Sequence, residues 1–459
     1  INIGFIYMHK IYLSLLLAST FSYSQTVNFD DVLQQTIKNS KDLQQQKLNI
    51  DLAKQDIKTV DFMNYGKLSI SEEMSRTNHS GYVFNSKLSS REASFNDFGA
   101  NEFAVPNSLM VEPKNLNYPD ARNNYNTKVT YDIPLFTGFK LSNQKDILKL
   151  MEKANELKYN LDRKNLEFET LKAYNSAVVA KEFVKALEKA KETISFMVKA
   201  ANSFHNEGLV TKIDVNEAKV YELNINSQLI EAKNNFQLAL AYLEFLTSNN
   251  DISDVENLEN IHFSLSNQQE LYEKAIEARD EVKMQNIEVD ASKKNIDISK
   301  SSYYPTLFSH LEYGFNDDKL TTNEDKDYYI ALVGLSLTLF DGTRDTQVEK
   351  SRIEHLKATL NQEKLKDGIK LEIKKAILDL ETKENVLAEK IEARNLASEV
   401  LEQAKLQYKN RLISMTILLQ QEANYRKYEA LLINAKYEKS LALAKVNLVL
   451  GKNLKEENE

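Results

Sequence analysis

The chain has 459 residues, a formal net charge of −8 and no cysteine. The acidic balance argues against a nucleic-acid partner. The lack of cysteine excludes a disulfide framework, a thiolate metal site and a lipidated N-terminal cysteine. Eleven Gly and five Pro fall far below the average usage of about 7% and about 5%. Turns are therefore scarce, elements must be long, and the intermixed Lys and Glu suit solvated helices.

Residues 1–24 read as a secretory signal peptide, with residues 1–7 an upstream extension. Met8-His9-Lys10 is the basic region, Ile11 to Ala18 the apolar core, and Ser22-Tyr23-Ser24 the cleavage site before Gln25, too short a run to span a bilayer. Residues 25–250 then form a first structural repeat. Asn28 to Met63 is helical by period, and Gly66 stops it. Leu68, Ile70 and Met74 alternate with polar residues in a short strand. Residues 76–124 are a polar loop, longer than compact domains usually carry, with Pro106, Pro113 and Pro119. In the next strand Val129, Tyr131, Ile133 and Leu135 share one face, and Lys128, Thr130, Asp132 and Pro134 share the other.

Phe139 to Phe204 is one helix, roughly 100 Å at 1.5 Å per residue. Its late seam (Phe183, Leu187, Ala190, Ile194, Met197, Ala201, Phe204) keeps the 4-3 spacing of a coiled coil. Between this and the early seam (Ile147, Leu150, Ala154, Leu157, Leu161), Ala177-Val178-Val179-Ala180 is apolar all round, which marks a change of packing partners. Gly208-Leu209-Val210-Thr211 turns the chain into a return helix. Residues 251–266 are a connector with a strand expected at Ile261-His262-Phe263.

Residues 267–451 replay the first half, and 452–459 are a charged tail. Pro134-Leu135-Phe136-Thr137-Gly138-Phe139-Lys140 reappears as Thr338-Leu339-Phe340-Asp341-Gly342-Thr343-Arg344, a spacing of 204 (338 − 134). Asp51 to Leu68 align without gaps onto Asp290 to Leu307, a spacing of 239 (290 − 51). Glu270 to Ser302 reads as a helix, Leu307 to Phe315 as a strand and Tyr329 to Leu339 as another. The last strand puts Val333, Leu335, Leu337 and Leu339 on one face. A helix from Thr343 to Lys409, the turn Arg411-Leu412-Ile413-Ser414 and a return helix complete the copy. So long a period means two structural halves rather than a solenoid.

Each half supplies two strands with the length and alternation of a membrane-spanning β-strand. An open sheet edge cannot face lipid, because its backbone groups go unpaired. Strands in a membrane therefore require an oligomer, with Val129, Tyr131, Ile133, Leu135, Val333, Leu335, Leu337 and Leu339 facing lipid. Tyr65, Tyr303, Tyr304, Tyr328 and Tyr329 fall at strand ends, where interfacial aromatics belong. No segment offers about 20 consecutive apolar residues for a spanning helix.

These marks in this order resemble the TolC family of outer-membrane efflux and secretion channels: the strand-to-helix turns with Gly138 and with Asp341-Gly342, the hairpin turns at Gly208 to Thr211 and Arg411 to Ser414, and the closing Gly451. The long first loop, with Phe84, Leu88 and Leu116-Asn117-Tyr118-Pro119, is similar to that of members from Bacteroidetes-type bacteria. The resemblance implies a mainly α fold with a small β part. It is internally duplicated, a long coiled-coil α-helical barrel plus four strands per chain toward a trimeric 12-stranded transmembrane β-barrel. It also implies a homotrimer in the outer membrane of a Gram-negative bacterium, with a large periplasmic part. The hairpin turns would meet a periplasmic adaptor, and through it an inner-membrane pump that supplies the energy. No bond chemistry and no cofactor is implied.

By the same resemblance Asp214 on the first hairpin bonds Tyr408 on the second and latches the periplasmic tip. The residue types also allow Asp214 to be a helix cap. Family members with acidic rings carry acids where this chain has Ile417 and Gln420; Glu217 is the partial substitute. Arg411 stands where the family has Gly. His79, His205, His262, His310 and His355 lack ligand spacing, and no phosphate loop or nucleophile elbow occurs. The alternatives are a periplasmic coiled-coil adaptor, which would place one hairpin between Gly- and Val-rich β domains, and a structural coiled coil, which leaves the duplicated strands unexplained.

Overall fold

The computed structural model describes residues 25–103, 110–263 and 267–454. The signal-peptide reading, Pro106, the last residues of the connector and residues 455–459 of the tail lie outside the described residues. The chain divides into two compact units, residues 1–41, 163–272 and 372–459 in one, and 42–162 and 273–371 in the other. Among the described residues no helix is long and apolar enough to cross a membrane.

The second unit is built on an antiparallel sheet of β2 (Lys67–Thr77), β3 (Arg122–Phe136), β5 (Thr306–Asp317) and β6 (Asp327–Ser336), in the order β2-β3-β5-β6. β2 and β6 are its edges. The register keeps the expected faces together. Ile70, Val129, Tyr313 and Tyr329 form one row across the sheet, and Leu68, Tyr131, Leu311 and Ala331 the next. The duplication holds to the residue, since Lys67 pairs with Asp132 in the first copy and Thr306 with Ser336 in the second. These partners are 239 and 204 positions apart.

Two strand expectations are corrected. Pairing steps from Pro134–Phe308 to Phe136–Leu307, so Leu135 is the extra residue of a bulge rather than a member of the apolar row. Proline lacks the N–H that a ladder needs, and such positions gather bulges. β6 ends at Ser336, which leaves Leu337 and Leu339 beyond the strand. β3 is held from both sides, whereas among the described residues β6 has a neighbour only in β5.

Among the described residues the long loop has secondary structure of its own. It carries α3 (Ser80–Ser89) and the single-turn α4 (Lys114–Asn117). It is tied to the loop between β5 and β6 by Arg91, whose guanidinium donates to the Asp325 carbonyl at 2.8 Å. Glu92 adds ion pairs with Arg122 and Lys326, and Lys326 also reaches Asp317 at 2.6 Å. Burial of Glu92 opposes its ionisation, but these two cations still hold its carboxyl below the usual range.

In the first unit, β1 (Gln25–Val27) runs parallel to β4 (Ile252–Val255). The connector strand is therefore β4, and Ile261 to Phe263 has no strand. Val27, Phe29, Ile252 and Val255 pack with Leu171, Tyr174, Ala177, Val178 and Leu243 in one core. This is the partner change that the all-apolar stretch at Ala177 announces. The helices are α5 (Lys140–Asn206), α6 (Lys212–Thr247), α9 (Arg344–Lys409) and α10 (Met415–Val449), of which α5 and α9 contribute residues to both units.

The remaining helices break where one run was expected: α1 (Phe29–Asn39) from α2 (Lys41–Met63), and α7 (Gln268–Ala278) from α8 (Asp280–Lys300). Ser40 and Arg279, 239 apart, sit at the breaks with ψ of 119° and 127°. Each N–H still closes the preceding helix, Ser40 to the Thr36 carbonyl and Arg279 to the Ala275 carbonyl.

Candidate functional site

The two hairpin turns share one geometry. Gly208 N–H donates to the His205 carbonyl and Leu209 N–H to that of Phe204. Arg411 and Leu412 repeat this onto Tyr408 and Gln407. This is the left-handed helix stop, with φ of 72° at Gly208 and 64° at Arg411. Arginine occupies a backbone region that costs an L-residue about 1 kcal/mol or more. The return helices start on caps. Thr211 and Asp214 form a capping box, with the Asp214 carboxylate accepting from Thr211 Oγ1 at 2.7 Å and from its N–H at 3.0 Å. Ser414 accepts the Ile417 N–H on α10. Val210 and Ile413 complete the turns, and Leu209 and Leu412 are exposed.

Behind the turns α5, α6, α9 and α10 close over Ile194, Met197, Ala201, Val215, Leu401, Met415 and Leu418. The Phe204 and Tyr408 rings meet there at 5.8 Å. Tyr408 is 6% exposed and its hydroxyl has no hydrogen-bond partner among the described residues. The expected Asp214–Tyr408 bond is thus not made within this chain, because Asp214 is engaged by its own helix start. Its charge is still felt: burial first, then Asp214, pushes the Tyr408 hydroxyl above the ordinary phenol range. Glu217 does bridge the hairpins, accepting from Thr416 Oγ1 at 2.8 Å. Gln420 bonds Asn424 along its own helix, and Ile417 is exposed. An apolar groove of about 740 Å³ opens beside this core, lined by Phe196, Ala200, Phe204, Leu406, Tyr408 and Leu418.

One cluster was invisible to sequence reasoning. Glu422 is 2% exposed on α10 and accepts the Tyr221 hydroxyl of α6 at 2.6 Å. Arg426 donates to the same hydroxyl at 2.8 Å and to Gln228 Oε1 at 2.5 Å. Burial raises the Glu422 carboxyl, with the Tyr221 hydrogen bond and the Arg426 charge opposing. Burial and then Glu422 raise Tyr221. Nearby, Arg394 of α9 donates to Glu429 at 2.6 Å and to the Tyr425 hydroxyl at 3.3 Å. Glu422 is an unremarkable acid at a helical position, and only the approach of α6 identifies its partner.

On the sheet, the polar face carries its own chain of contacts. Lys128 lies 3.4 Å from Glu73 and 4.0 Å from Glu312, which are repeat equivalents. His310 Nδ1 is 2.6 Å from Asp132, and Tyr328 donates to Glu312 at 2.7 Å.

The two strand-to-helix turns differ although both carry Leu-Phe-x-Gly. Gly138 has φ of 62°, and a Cβ there would sit 2.6 Å from the Ser301 carbonyl oxygen and 3.0 Å from the Tyr304 Cβ. At Gly342 a Cβ would meet nothing closer than the Phe340 ring at 3.9 Å. Asp341 accepts the Thr343 N–H and hydroxyl at 2.8 Å each and so starts α9.

The outer membrane efflux protein family matches residues 32–249 and 271–452, one segment for each half. The chain belongs to that family. Among solved structures, the Campylobacter jejuni CmeC outer membrane channel superposes with a TM-score of 0.72 at 18% identity, covering 94% of this chain and 87% of that one. VceC of Vibrio cholerae, an outer membrane protein, gives 0.72 at 13%, with 93% and 97% covered. The open state of the Neisseria gonorrhoeae MtrE outer membrane channel gives 0.72 at 12%, with 93% and 89% covered. The fold is therefore the TolC-like fold expected from the duplicated turns. Among curated proteins none matches the chain.

Proposed function

We propose that this chain is the outer-membrane exit duct of an efflux or secretion system. Three copies would join their four-stranded sheets into a 12-stranded barrel. The observation that carries the reading is the sheet itself: strands of membrane-spanning length, one apolar and one polar face, and two free edges in β2 and β6. Such edges are tolerated in lipid only when another copy pairs with them. Apolar rows such as Ile70–Val129–Tyr313 would face lipid, and the Lys128–Glu312–His310 face would line the lumen. The hairpin turns would be the periplasmic end, meeting an adaptor and, through it, an inner-membrane pump. Ile417 and Gln420 leave that end without an acidic ring, and Glu217 with Thr416 is the tie between hairpins that opening would break.

The test is extraction and reconstitution. The mature protein should fractionate with outer membranes, run as a heat-sensitive trimer in detergent, and give single-channel steps in planar bilayers. A stable, water-soluble monomer without detergent would overturn the proposal.

A further inference from the structure

We infer that copies of this chain join β6 to the neighbour's β2 in the register that β3 and β5 show within one chain: Val333 opposite Met74 of the next copy, Leu337 opposite Ile70, and Phe340 opposite Leu68. The inference rests on the self-assembly reading above and deepens it to single residues. Its warrant is the duplication. The β2–β3 and β5–β6 ladders are equivalent residue for residue. Each repeat therefore presents the same two edges, and one repeat-to-repeat junction, β3 with β5, is visible. Carrying β3 forward by 204 and β5 back by 239 converts Val129–Tyr313 into Val333–Met74. In the same way Ile133–Ser309 becomes Leu337–Ile70, and the bulged Phe136–Leu307 becomes Phe340–Leu68. Every such pair keeps side chains on the correct face, which a one-residue slip would invert.

Three features of the single chain fit this junction. Leu337, Leu339 and Phe340 lie beyond β6 and are exposed, although their equivalents around Leu135 and Phe136 are in β3. A paired neighbour would extend the strand through them. Gly342 has open space in the chain, yet its equivalent Gly138 is pressed against Ser301 and Tyr304. Those two residues translate to Phe62 and Tyr65, both well exposed here. Gly342 lacks the left-handed backbone of Gly138 in the single chain; once the strand extends and the turn takes that conformation, the neighbour's Phe62 and Tyr65 would supply the wall that makes Gly342 necessary. The ion pair of Lys294 with Asp146 at 2.9 Å translates to Gln55 and Lys350, a compatible donor and acceptor across copies. A junction of this kind is heterologous and closes only as a ring.

With no native cysteine, cross-linking reads the register directly, because directly opposite Cβ atoms approach to about 5 Å. In membranes, Val333→Cys with Met74→Cys should give disulfide-linked oligomers, while Val333→Cys with Ile70→Cys, two rungs away, should not. Gly342→Val should lose the heat-sensitive trimer, while Gly368→Ala, a helical position also open in the chain, should keep it. A trimer cross-linked through Val333–Ile70 instead, or one that tolerates Gly342→Val, would overturn the register and leave the exit-duct reading standing. Absence of any oligomer in the unsubstituted protein would overturn both.

Discussion

The hairpin turns and the strand-to-helix turns relate their two copies in opposite ways. At the hairpins the residues differ, Gly208 against Arg411, and the geometry is the same, with φ of 72° and 64°. At the strand-to-helix turns the glycine is kept, Gly138 against Gly342, but the backbone is left-handed only at Gly138 and the surroundings differ, one glycine packed on backbone and the other open. A helix stop is closed by its own last carbonyls, so the flanking coiled coil can impose it even on arginine. A glycine that makes room for another segment reports on whatever lies across from it. The first kind of turn is specified locally, the second by a neighbour.

The largest effect is expected where there is no second copy. Glu422, Arg426 and Tyr221 correspond to Lys219, Leu223 and Asn424 at the 203-residue spacing of the return helices, so the buried network is unique to one place. Arg426→Ala leaves the Glu422 carboxylate buried without its cation and should cost about 3 kcal/mol, read as a lower thermal midpoint in detergent. An unchanged midpoint would mean that the network is solvated.

Next comes Gly138→Ala, which forces a Cβ onto the Ser301 carbonyl in a left-handed backbone. It should cost about 2 kcal/mol, while Gly342→Ala should leave the folding of the single chain unchanged. Equal losses in a denaturant series on dispersed chains would erase the contrast between the two turns. Smaller and opposite in sign are the hairpin changes. Gly208→Ala should destabilise by about 1 kcal/mol, and Arg411→Gly should stabilise by up to about 1 kcal/mol. Hydrogen exchange at the start of α6 and of α10 resolves them separately.

Tyr408→Phe should be close to neutral, because it removes a buried hydroxyl that has no partner. A loss comparable with that of Asp214→Ala, which removes the α6 cap at about 1 kcal/mol, would show that the two side chains do bond. The smallest effect concerns pH. The Glu422 carboxyl is raised in the fold above its value in the unfolded chain, so folding favours its protonated form. That contribution is fully present below the unfolded value and is lost as pH rises through the folded one. Glu422→Gln should flatten the fall of the thermal midpoint over that window, and a parallel slope in the variant would assign it elsewhere.

Much of this was legible in advance. The run from Lys140 to Asn206 has neither Gly nor Pro, and its heptad spacing carries the helix through. The breaks at Ser40 and Arg279 were missed because both residues tolerate a helix. The clue was the acids just after them, Asp42 in one copy and Asp280 with Glu281 in the other, which suit a new helix N-terminus. The strand at Gln25 to Val27 was missed because three residues carry too little period to register. Of the tip residues, the Thr211-x-x-Asp214 spacing already described a capping box. Whether Tyr408 reaches Asp214 was a question of how the two hairpins pack, which spacing along the chain does not record.

The sequence by itself determined the duplicated order of strand, long helix, turn and return helix, because periodicity and scarce punctuation act through neighbours a few residues apart. It also determined which strand faces are apolar, since alternation is a property of the backbone. Only the tertiary structure decided the bulge at Leu135, the end of β6, the pairing of β1 with β4, and the burial of Glu422 against Tyr221. Each of these depends on which segment arrives from far along the chain, and no local energy records that.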